Sequence, residues 1–124
     1  MTHFLTTQHL LTIASELPDD PACDDLSKLD AILARPRAHY LGRDVCGTDF
    51  LKAAAMLETA ARLRPLERHN DVFAWSVAFV FLDMNGHEIH APADDALALV
   101  IDSREDRVTV PQIAAQLRKW ASRG

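Results

Sequence analysis

The chain has little cysteine, little excess of basic charge and no long apolar run, and each scarcity removes a class of protein. Among 124 residues the cysteines are only Cys23 and Cys46, with no CxxC pair. That excludes a disulfide scaffold and a cysteine-built zinc site. With no signal-like leader, both are expected to be plain reduced thiols in the cytoplasm. Cys23 falls in a polar loop and Cys46 beside Gly47, settings that do not activate a thiolate. Thirteen basic residues stand against eighteen acidic ones, a net charge of −5. The imbalance is even: residues 1–62 carry 6 basic and 9 acidic groups, residues 63–124 carry 7 and 9. Nucleic-acid binding needs a basic face, so none is expected. The longest apolar run is about 11 residues against the roughly 20 that span a bilayer, so no membrane partner is expected. Repeats, low-complexity tracts and linkers are also missing.

What is present is a core. The chain is 48% hydrophobic and 25% charged, and its length suits a single domain over 1–124. Helical spacing dominates. Thr6 or Thr7 caps a first helix carrying Leu10, Leu11, Ile13, Ala14 and Leu17, which Pro18 ends. Asp25 or Ser27 starts a second, with Leu26, Leu29, Ile32 and Leu33 on one face, stopped before Pro36. RAHYLGRDVCGTD reads as irregular. Asp49 leads a third helix, FLKAAAMLETAARLR, whose alanines allow close approach and which Pro65 ends. A fourth helix starts near Asp71. From Val72 to Leu82 it is apolar on every side, so it is expected at the centre of the bundle, wrapped by the others. Asn85-Gly86 supplies a left-handed stop. HEIH is a short extended piece. Pro92 opens a fifth helix through DDALALVI, with Asp94 and Asp95 at its positive end. Thr109, Pro111 and Gln112 form a box-like start for a last helix carrying Ile113, Ala114, Leu117 and Trp120. The pattern predicts an all-α bundle of about six helices around one buried apolar helix.

Few residues suggest chemistry. His87 and His90 sit three apart, but an extended backbone points them to opposite faces and no third metal ligand is evident. Thr12 to Glu16 matches a loose (S/T)xxxE pattern that is common by chance and lies inside the first helix. Arg118, Lys119 and Arg123 suit a helix C-terminus. The loop PLERHN is denser. A loop that opens into a helix leaves free N–H groups that suit an anion, near Arg68, His69, Asn70 and Asp71. The plainer expectation is that Asn70 or Asp71 caps the helix, and a carboxylate at 71 weakens the anion alternative.

Several stretches together resemble the Doc (death-on-curing) proteins of the Fic/Doc superfamily. They are LLTIASELPDDP, LSKLDAILARPRAHYLGRD, the run from FLKAAAMLETAARLRPLERHN to FLDMNGHEIHAPADDALALVI, and VPQIAAQLRKW. The resemblance covers nearly the whole chain and implies an all-helical domain. It also implies a working loop of pattern HxFxxxNKR, which falls on Arg64 to Val72. Arg64 stands at the general base histidine, and an arginine does not serve as a base. Arg68 stands at the acidic metal ligand. His69 replaces the small residue before the asparagine, Asp71 the lysine and Val72 the arginine. Asn70 is retained, and Leu66 keeps an apolar residue where the family has phenylalanine.

Two readings follow. One is a pseudoenzyme without transferase activity that acts by binding a protein or ligand and needs no cofactor. The other is the toxin of a toxin–antitoxin pair. The resemblance implies that such a toxin moves phosphate or a nucleotide from ATP, with magnesium, to a protein hydroxyl, and that a helical antitoxin segment neutralises it. A rewired loop would use His69 as base and Glu67 as metal ligand. New chemistry in the same pocket would have Arg64, Arg68 and His69 hold an anionic small molecule.

Overall fold

Thr6, Asp25, Thr48 and Thr109 each begin a helix by turning a side-chain oxygen onto a first-turn N–H, which satisfies one of the donors that a helix start leaves open. The computed structural model describes residues 2–40, 43–44 and 47–121. Cys46 and Arg123 lie outside them. Within them the helices are α1 (Thr7–Ser15), α2 (Leu26–Ala34), α3 (Asp49–Leu63), α4 (Asn70–Met84), α5 (Ala93–Arg104) and α6 (Val110–Trp120). The fold is all-α with six α-helices, as expected. The Thr109–Gln112 box forms in full: Gln112 N–H donates to Thr109 Oγ1 at 3.3 Å, and Thr109 N–H donates to Gln112 Oε1 at 2.8 Å. Asp94 and Asp95 occupy the first turn of α5, and Arg118 and Lys119 the last turn of α6. The segment read as irregular holds more order than expected. A 3₁₀ turn, Arg35–Arg37, leads to strand β1 (His39–Tyr40), which pairs antiparallel with β2 (Arg43–Asp44). Strands of two residues are too short to show a period-2 pattern.

The enclosure of α4 is only partial. It is an inner helix, with Phe73, Ala74, Val77, Ala78, Phe81 and Leu82 buried. Yet Val72 is 45% exposed and Phe79 39% exposed. The helix wrapped on most sides is α3, which packs against α2, the 3₁₀ turn, α4, α5 and α6. Its Ala53, Ala54, Ala55, Ala60 and Ala61 are fully buried. Small side chains let five neighbours crowd one axis, at the 8–10 Å spacing usual for packed helices. Hydrophobicity all round thus located an inner helix but overstated its burial.

Two joints position the loop between α3 and α4. Arg64 closes α3 in the left-handed region at φ 48°, because Pro65 disfavours a helical residue before it. At the far end of α4, Gly86 takes φ 84°. Gly86 N–H donates to the Asp83 carbonyl at 3.1 Å and His87 N–H to the Leu82 carbonyl at 2.9 Å. This left-handed stop satisfies two orphan carbonyls.

Candidate functional site

The loop from Arg64 to Asp71 is stitched down at three places. Leu66 is buried and faces Cys23 across a bridge. Glu67 N–H donates to the Ala22 carbonyl at 2.9 Å, and Ala22 N–H returns a bond to Glu67 Oε1 at 3.1 Å. The third stitch is Asn70. The residue is buried, 4% exposed. Its Oδ1 accepts from Leu66 N–H at 2.8 Å, and its Nδ2 donates to the Leu66 carbonyl at 2.9 Å. Both ends of the amide are therefore spent on one backbone residue, and the loop closes on itself.

The expected cap of α4 does not form. The position before the helix is His69, left-handed at φ 62°, with no side-chain cap bond. Asn70 is already inside the first turn and bonded to Leu66. Asp71 looks elsewhere: its Oδ1 lies 3.1 Å from Arg64 Nη1, and its Oδ2 lies 2.7 Å from Arg104 Nη1. Two guanidiniums offer a carboxylate more than the backbone amides of its own helix do. Arg104, in the last turn of α5, was not among the candidates read from the sequence. It lies 33 residues from Asp71, and only the packing of α5 along α4 brings the two together.

The remaining candidates divide. Arg68 pairs with Glu67 at 3.4 Å. His69 Nε2 is buried without a hydrogen-bond partner and lies 4.0 Å from Asp19 Oδ2. Glu67 and His69 therefore both turn toward the 19–22 segment. Outside the loop, His87 Nε2 meets Asp49 at 2.9 Å and His90 Nε2 meets Glu88 at 3.1 Å. The two histidines go to different carboxylates. Cys23 is a free thiol whose Sγ lies 3.6 Å from the Asp25 carbonyl. Asp25 caps α2, and its bonds from the Ser27 side chain and backbone hold its carboxyl below the usual carboxylate range. Among the described residues no three His, Cys, Asp or Glu side chains gather.

A second feature flanks the loop. The exposed side of α4 carries Val72, Trp75, Ser76 and Phe79, at helical spacing. It borders two apolar grooves that share Trp75. One, of about 340 Å³, lies against α1 and is lined by Ile13, Glu16, Leu17, Trp75, Phe79 and Val80 among others. The other, of about 370 Å³, lies against α5 and includes Val72, Trp75, Ala93, Asp94 and Leu97. Trp75 is braced edge-on by Trp120 at 5.9 Å. The sequence held the signal for this surface in the apolar run of α4, where a side kept for a partner reads the same as a side kept for the core. No helix among the described residues is long and apolar enough to cross a membrane.

No protein-family model matches the chain. Among curated proteins it is similar to one named Toxin Doc, from Mycolicibacterium smegmatis. The two are 32% identical over 131 residues, which take in 98% of this chain and 96% of that protein. Identity at that level along both whole lengths agrees with the six-helix order, and the chain belongs to the Doc family.

Proposed function

We propose that the chain is the toxin-type component of a toxin–antitoxin pair, held in check by a protein partner that lays an amphipathic helix along the open side of α4. The full-length likeness to a protein named Toxin Doc carries this reading. The grooves on either side of Trp75 support it, since Val72, Trp75 and Phe79, at i, i+3 and i+7, give an apolar stripe against which a helix can lie. Glu16 on one wall and Asp94 on the other favour a partner segment with basic residues flanking its apolar face. Induced expression in a bacterial host is expected to arrest growth, and co-expression of the partner antitoxin to restore it. Normal growth at high expression of folded protein would overturn the reading.

One observation favours a second reading, a catalytically silent member that binds its partner and transfers nothing. Arg64, at the family's base position, is neutralised by Asp71 rather than poised to take a proton. On this reading the antitoxin still binds, growth is unaffected, and calorimetric titration with ATP and magnesium gives no binding heat. A phosphorylated or nucleotidylated target protein would exclude it.

A further inference from the structure

Helix α1 is fastened at its two ends and lightly along its length. Of its nine residues only Leu10 and Ala14 are buried, and it packs against α2 and α4. We infer that α1, with the strap of residues 2–6 before it, is a hinged flap over the apolar groove that it shares with α4, and that Asn85 is its latch. Release of the latch widens the groove for an apolar segment. That a partner helix enters this groove rests on the reading above; the latch and the hinge belong to this chain alone.

Three observations carry the inference. First, one side chain holds the strap to the end of α4. Asn85 Oδ1 accepts from His3 N–H at 2.7 Å, and Asn85 Nδ2 donates to the His3 carbonyl at 2.9 Å. The same Nδ2 donates to the Phe81 carbonyl at 2.8 Å, which seats the amide on its own helix. Thr2 Oγ1 adds a bond to Asp49 Oδ1 at 3.1 Å, and the Arg37 guanidinium lies 4.1 Å from the centre of the Phe4 ring. Both His3 bonds are exposed, and an exposed bond exchanges for one to water at little net cost. Second, the far end of α1 is built to turn. Asp19 and Asp20 both lie in the left-handed region, at φ 65° and 43°. Two consecutive non-glycine residues there hold backbone strain, and a few loop positions of this kind absorb the rotation of a hinge. Just beyond them the chain is fixed again, by the paired bonds of Ala22 and Glu67 and by the Cys23–Leu66 bridge. Third, the flap is not seated tightly. A groove of about 340 Å³ separates Ile13, Glu16 and Leu17 on its side from Trp75, Phe79 and Val80 on α4. A segment that buries few apolar side chains and is held by exposed bonds is among the first to open. The Thr6–His9 capping box lies within the flap, so α1 keeps its start when it swings.

Hydrogen–deuterium exchange of the full chain, read by mass spectrometry with no partner added, tests the inference. In wild type the amides of α1 are expected to exchange faster than those of α3 between Ala53 and Ala61. Asn85→Ala is expected to speed exchange over residues 2–17 by about tenfold, the ratio that one to two lost hydrogen bonds give, and to leave that part of α3 unchanged. It is also expected to brighten the dye anilinonaphthalene sulfonate, which binds open apolar surface, and Phe79→Lys in the same chain to remove the gain. Unchanged exchange over residues 2–17, or a dye gain that survives Phe79→Lys, overturns the inference. Asn85 also caps α4, so Thr2→Val supplies a milder release that keeps the side chain's shape and removes its bond to Asp49. Where Asn85→Ala speeds every helix alike, Thr2→Val decides: faster exchange confined to residues 2–17 sustains the inference, and none overturns it. Growth and antitoxin enter neither readout, so the flap and the toxin reading fail separately.

Discussion

Replacing Asn70 with alanine removes both bonds that close the loop, at 2.8 and 2.9 Å. The partners left behind are the N–H and C=O of Leu66, a buried residue. Stranding a buried polar group costs about 1–3 kcal/mol, and a net hydrogen bond contributes about 0.5–1.5 kcal/mol. Partial relaxation toward water brings the expected loss for Asn70→Ala to about 2–4 kcal/mol. For a domain of this length that is a fall in Tm of roughly 10 °C. Thermal unfolding by far-UV circular dichroism measures it. Asn70→Asp sharpens the test. Its carboxylate still accepts from Leu66 N–H, but while ionised it faces the Leu66 carbonyl with no proton to donate. Its folded pKa is therefore raised above the unfolded value. Stability relative to the unfolded chain is then fullest at low pH and is lost as pH rises through the folded pKa. Asn70→Asp is expected to sit well below wild type at pH 7 and to close part of the gap near pH 4. A Tm change under about 2 °C for Asn70→Ala, or a gap for Asn70→Asp that does not change with pH, would refute the brace.

Further outcomes follow from the packing and caps. Ala60→Leu inserts bulk where α3 is fully buried and is expected to cost about 1–3 kcal/mol, read as a lower urea midpoint at unchanged slope. Phe81→Ala empties a fully buried site and is expected to cost about 3–5 kcal/mol by the same measurement. Asp25 has a lowered carboxyl pKa from its bonds to Ser27, so its capping contribution is complete above the usual carboxylate range and lost as pH falls through the lowered value. The Tm difference between wild type and Asp25→Ala is therefore expected to hold steady from pH 7 to 5 and to shrink toward pH 2; a difference that grows with acid contradicts it.

The helices were legible where the signal is local. Thr109 and Gln112 sit at the fixed spacing of a reciprocal cap, and Pro65 and Gly86 end their helices by backbone geometry alone. The hairpin between His39 and Asp44 was not legible, since pairs of two residues leave no periodic trace. Residue types on α4 reported its apolarity but not its surroundings, so Val72, Trp75 and Phe79 read as core although they border open grooves. In the loop, Asn70 and Asp71 carry side chains typical of caps, and local chemistry alone assigns them that role. Other partners changed both: Leu66, four residues back across the loop, took the amide, and Arg104, contributed by α5, took the carboxylate with Arg64. Arg104 carried no local mark, because its role exists only once α5 lies along α4.

The central claim joins the toxin reading to the open side of α4, and growth curves for wild type and Phe79→Lys, each with and without the antitoxin, test it most directly. Phe79 is 39% exposed, so the lysine folds into place at little cost while it places a charge in the apolar groove. The account predicts arrest by both proteins and rescue by antitoxin of wild type alone. Absence of arrest by wild type, or equal rescue of Phe79→Lys, would contradict it.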